Sequence, residues 1–169
     1  MEKLTGFIIT AGHLDIEWYQ PLRSYRFWTV EAFKELIRIY KTRNGFKTYC
    51  LDGQYYPLKE YLDVVPEDEP TVREMIRDGL LSIGPFYTQF DEWLPSAESI
   101  IRNCLYGDRL CKKFGGYMRA GYLPDNFGHP LQMPVGCLRA QGSVYPQSAS
   151  RERLFLHGSP TWHTGPTLY

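Results

Sequence analysis

The 169-residue chain is electrically balanced, with 19 Lys+Arg against 19 Asp+Glu, which argues against a polyanion-binding surface and against nucleic acid as a partner. Its length suffices for one domain with a real core. Aromatics make up 15%, a content that serves cores first and also lines sites that stack on sugar-like ligands. The four cysteines, Cys50, Cys104, Cys111 and Cys137, form no CxxC pair, so a zinc knuckle or a thioredoxin-type motif is not expected. The start, "MEKLTGFIITAGHLD", lacks the basic region, long apolar stretch and cleavage site of a signal peptide. No apolar run approaches the ~18 residues of a membrane span. These features predict a soluble, reduced, cytoplasmic protein.

Taken in chain order, "LTGFIITAG" (4–12) reads as a buried strand ending in Gly. Residues 29–45 carry Phe33, Leu36, Ile37 and Tyr40 at amphipathic-helix spacing, with Thr29 as N-cap and Gly45 as the stop. "FKTYCLDG" (46–53) alternates and ends in Asp-Gly, a second strand. Residues 70–79 begin with Pro and end with Gly, a short helix. "LLSIGPF" (80–86) is a third strand. Residues 96–116 start with a Ser cap and stop at paired Gly, a long helix that places Cys104 and Cys111 on one face as small apolar residues. "YMRAGYL" (117–123) is a fourth strand. Strands that alternate with helices imply βα units, a parallel sheet and an open α/β or barrel architecture. Ligand sites in such folds lie at the C-terminal strand ends. Polar and aromatic clusters fall there four times: "GHLDIEW", "LDGQYY", "GPFYTQFDEW" and "LPDNFGH".

His13 and Asp15 lie two apart in an extended segment, so both side chains point the same way and can reach one metal. Imidazole plus carboxylate suits a divalent ion such as Zn²⁺, and two ligands do not close a site. The alternative is a strand-end His bonded to backbone beside an exposed Asp. Asp125, after Pro124 at the fourth strand end, is the candidate third ligand. It could equally act as a nucleophile or cap a turn. His129, beyond Gly128, reads as a loop-shaping residue. Asp91 and Glu92 form a second acidic site, or an acidic loop before the Ser96 cap. Asp52, followed by Gly53, has the bland reading of a turn residue. Trp18, Trp93, Phe86, Tyr87 and Phe127 suit either a core or a sugar-stacking pocket. Glu17 gains no role.

In this order, "GHLDIEW", "GPFYTQFDEWLPSAESIIRNCLYG" and "GYLPDNFGHPLQMP" resemble the N-terminal catalytic domain of glycoside hydrolase family 38, the metal-dependent α-mannosidases, and especially the bacterial branch that includes mannosylglycerate hydrolases. The resemblance covers about residues 5–134. It implies the N-terminal part of a seven-stranded (β/α) barrel and a retaining mechanism. It implies that His13, Asp15 and Asp125 hold one divalent metal, Zn²⁺ foremost, and that Asp125 is also the nucleophile. It places Trp18, Phe127 and Asp91 at the sugar. The implied substrate is a small α-mannoside or a mannosyl-glycerate-like compound.

Two family parts have no match here. The fourth metal ligand, a histidine, and the acid/base, an aspartate, lie far downstream of the nucleophile motif; His157 and His163 stand in no matching motif. After Pro134 the chain loses Asp, Lys and Ile, and no period is sustained, so residues 135–169 read as an atypical, irregular tail. A change of reading frame near Pro134 is the hypothesis this suggests; neighbouring frames without a mannosidase-like continuation would refute it. The expectation is an N-terminal fragment of an α-mannosidase with weak or no turnover of its own. A partial barrel exposes a sheet edge and apolar faces, so self-association is expected, and a monodisperse, cooperatively melting monomer would contradict that. The alternatives are a non-catalytic product with partial metal or sugar binding, and an unrelated barrel metallohydrolase such as a carbohydrate deacetylase.

Overall fold

The structure, a computed structural model, describes residues 9–42, 45–118 and 121–130. The tail 135–169, with Cys137, His157 and His163, and most of the first expected strand lie outside them. The order is α1 (Leu22–Thr42), β1 (Tyr49–Cys50), α2 (Tyr56–Leu62), a 3₁₀ turn (Pro66–Asp68), α3 (Glu69–Arg77), β2 (Leu81–Ser82) and α4 (Ala97–Lys112).

α1 starts seven residues before the expected Thr29 cap. Pro21 precedes its first residue, a helix-start signal that outweighed the Thr cap. Thr29 instead faces the core at 1% exposure and extends the buried stripe of Val30, Phe33, Leu36, Ile37 and Tyr40. α2 escaped the sequence reading because two turns are too short to show a period. Its signals are Pro57 in the first turn and Leu58 and Tyr61 three apart, both fully buried. Tyr61 stacks on Phe33 at 4.6 Å and 9°, joining α2 to α1, and α1 also packs on α3. Ser96 caps α4 as expected, accepting from the Ser99 amide at 3.2 Å. Cys104 and Cys111 are buried on its inner face, and burial pushes the Cys111 thiol up to about 12.

The sheet is parallel, as βα alternation requires. Tyr49 pairs with Leu81 and Cys50 with Ser82. Ala11 forms a parallel bridge to Cys50, and the Cys50 amide donates to Thr10 O at 2.8 Å. On the far side, the Met118 amide donates to Ile83 O at 3.0 Å. The expected strands 46–53 and 80–86 thus shrink to two residues each, with a further bridge between Gln54 and Phe86. The expected fourth strand, 117–123, is not a strand among its described residues. The mixed α/β class stands. Helices α1 to α3 cover the sheet through a core that includes Leu51, Leu58, Val72, Met75, Leu81 and Ile83. Because the pairings are parallel, the segments following Ala11, Cys50 and Ser82 leave the sheet at one end. Among the described residues, no helix is long and apolar enough to cross a membrane.

Candidate metal centre

His13 and Asp15 follow the Ala11 bridge, and Asp52 follows β1. At Asp52 and Gly53 the backbone takes positive φ, 49° and 66°, a reversal that Asp and Gly accept more cheaply than branched residues. A Cβ on Gly53 would stand 2.7 Å from Tyr122 O, so the residue before the Asp125 loop packs directly on this turn. One ligand atom from each of His13, Asp15 and Asp125 lies within 4.8 Å of the other two. The His13 Nε2 is 3.4 Å from Asp15 Oδ1 and 3.2 Å from Asp125 Oδ2. Asp15 and Asp125 thus approach the same ring nitrogen of His13 from two loops. One imidazole and two carboxylates form a donor set that fits Zn²⁺ or a similar divalent ion.

The other His13 nitrogen, Nδ1, is 3.0 Å from Asp52 Oδ2. Asp52 is 1% exposed, so it is no ordinary surface turn residue. Burial opposes the His13 charge, but Asp52, Asp15 and Asp125 together hold its pKa above the usual value. Burial raises the Asp52 carboxyl, against the pull of His13.

Gln54 ties three strand-end loops together, and sequence reading missed it. Its Nε2 donates to Asp52 Oδ2 at 3.1 Å and to Leu14 O at 3.2 Å; its Oε1 accepts from the Gln89 amide at 3.1 Å and from Thr88 Oγ1 at 3.3 Å. Gln89 Nε2 in turn donates to Asp52 O and, at 2.9 Å, to Tyr122 O. Gln54 is 1% exposed, so Gln54→Leu strands several of these groups at about 1–3 kcal/mol each. The variant is expected to lose about 3 kcal/mol or more in urea unfolding; a loss under about 0.5 kcal/mol, typical of a surface change, would contradict the network. The signal in the sequence was a polar Gln directly after the Asp-Gly turn.

The Asp125 loop is braced from the β2 side. Asn126 Nδ2 donates to Phe90 O at 2.7 Å, and His129 Nδ1 lies 2.6 Å from Glu92 Oε1. His129 therefore shapes the loop, the role its position suggested. Glu92 is 4% exposed, and burial raises its pKa against the bond from His129. Trp18 packs edge-on to Tyr19 at 5.4 Å, and Asp91 Oδ1 accepts from the Trp93 amide at 3.1 Å. Trp18 and Phe127 are 62% and 78% exposed, which leaves their rings open to a ligand.

Residues 3–143 match the model of the glycosyl hydrolases family 38 N-terminal domain. The chain is 40% identical over 143 residues to a protein of Halalkalibacterium halodurans described as "Putative mannosylglycerate hydrolase", covering 84% of this chain and 16% of that protein. It is 30% identical over 135 residues to alpha-mannosidase G of Dictyostelium discoideum, covering 72% of this chain and 11% of that one. The crystal structure of an alpha-mannosidase from Enterococcus faecalis V583 superposes with a TM-score of 0.75 at 34% identity, covering 79% of this chain and 15% of that chain. The chain thus spans less than one fifth of the length of these relatives. The chain belongs to glycosyl hydrolase family 38, through that family's N-terminal domain.

Proposed function

We propose that this chain carries part of the active site of a retaining, metal-dependent α-mannosidase in a cytoplasmic setting. The observation that carries the reading is the convergence of His13, Asp15 and Asp125 from two distant loops. These three residues hold one divalent cation, with Zn²⁺ favoured by the donor set. A cation held there would supply Lewis-acid stabilisation to sugar oxygens and offset charge beside the nucleophile. Asp125, with a side chain 62% exposed, is open to a substrate and attacks the anomeric carbon. A second carboxyl then protonates the leaving oxygen and later activates water. No described residue is assigned that role, so weak or no turnover is expected of this chain alone. Trp18 and Phe127 offer exposed faces to the sugar ring, and Asp91 lies on the loop that follows β2. The described residues form the N-terminal part of a seven-stranded (β/α) barrel. The substrate is a small α-mannoside, with a mannosyl-glycerate-like compound supported by the bacterial relative.

Ligand-observed NMR on the zinc-loaded chain tests this. Methyl α-mannoside is expected to bind, methyl α-glucoside to bind weakly, and chelation to abolish both signals. Equal binding of the two sugars, or binding indifferent to chelation, would contradict the proposal.

A further inference from the structure

Asp52 has an environment that a turn residue does not need. Three donors converge on one of its oxygens. Oδ2 lies 3.0 Å from His13 Nδ1, 3.3 Å from the Leu14 amide and 3.1 Å from Gln54 Nε2. Its other oxygen, Oδ1, is buried with no hydrogen-bond partner among the described residues. Burying a carboxylate with one oxygen unserved is costly, and an Asp whose only task was the Asp-Gly reversal would do better in solvent. The contacts also have a direction. Oδ2 reaches the ring of His13 and the backbone of the next residue together, which fixes both the ring plane and the chain that carries it.

We propose that Asp52 is a positioning residue for the metal site: it accepts the Nδ1 proton of His13, so that the Nε2 lone pair is the one presented toward Asp15 and Asp125. Carboxylates face both ring nitrogens; a cation held by Asp15 and Asp125 would take the Nε2 lone pair, and the ring's remaining proton then sits on Nδ1 against Asp52, which only accepts. Carboxylates behind a ligating histidine fix tautomer and orientation in this way, and their loss costs about 10–100-fold in metal affinity. The inference rests on the metal reading proposed above and extends it to a residue that never touches the cation.

Zinc titration of the full chain and of His13→Ala, Asp52→Asn and Asp52→Ala separates the two claims. His13→Ala is expected to abolish binding. Asp52→Asn, which keeps the shape, is expected to weaken binding by about 10-fold, and Asp52→Ala by up to about 100-fold. If His13→Ala binds zinc like the parent chain, the metal reading fails and this inference with it. If His13→Ala loses zinc while both Asp52 variants bind within about twofold of the parent, Asp52 has no positioning role and the metal reading stands. Nitrogen-15 NMR of the zinc-loaded parent chain decides independently of whether the variants fold. A proton on His13 Nδ1 with zinc on Nε2 is the expected signature, and zinc on Nδ1 would overturn the proposal.

Discussion

Replacing Asp125 with alanine is expected to lower the zinc affinity of the chain by more than the ~10–100-fold that changes behind a ligand cost, because it removes one of three donors outright. Asp125 and Asp15 both face the same ring nitrogen of His13, at 3.2 and 3.4 Å. The remaining pair, His13 and Asp15, does not close a tetrahedral site. The loop that carries Asp125 is held by groups other than its carboxylate: Asn126 to Phe90 O, and His129 to Glu92. Thermal unfolding of the metal-free variant is therefore expected to match the parent chain. A variant that binds zinc normally would remove Asp125 from the site, and one that loses zinc together with its fold would not separate ligation from structure; Asp125→Asn, which keeps the side-chain shape, is the accompanying variant.

The second large effect concerns packing rather than ligation. Gly107 lies inside α4, where glycine ordinarily weakens a helix. A Cβ there would stand 2.2 Å from Pro85 O, 2.5 Å from Phe86 C and 2.5 Å from the Tyr87 amide nitrogen. All three are backbone atoms and cannot swing aside. Gly107→Val must lift α4 from the segment after β2, a segment also held by Asn103, whose Oδ1 accepts from the Tyr87 amide at 2.8 Å. The expected loss exceeds the ~1–3 kcal/mol of ordinary overpacking and would show as a large fall in melting temperature. A melting temperature within a few degrees of the parent would mean that α4 does not sit so close.

Much of this architecture was legible in the residues. The stripe from Phe33 to Tyr40, the Ser96 cap and the βα alternation each rest on a period or a local bond that sequence displays. The strand-end pair His13 and Asp15 was legible for the same reason: in an extended chain, two residues apart means one direction. α2 was not legible, because its stability comes from Leu58 and Tyr61 meeting α1, and that is tertiary. The start of α1 was misplaced because Thr29 offers a cap's chemistry while its burial gives it another task. Asp52 and Gln54 were hidden most deeply. Asp-Gly-Gln is turn chemistry on paper; only the approach of two neighbouring loops buries those side chains and turns them on His13.

The central claim is that His13, Asp15 and Asp125 bind one divalent cation. Anomalous diffraction at the zinc absorption edge, from crystals of the chain grown with one equivalent of zinc, tests it most directly. The account predicts one strong peak, bonded to His13 Nε2 and to one oxygen each of Asp15 and Asp125. Zinc bound elsewhere, with these three side chains unligated, would contradict it.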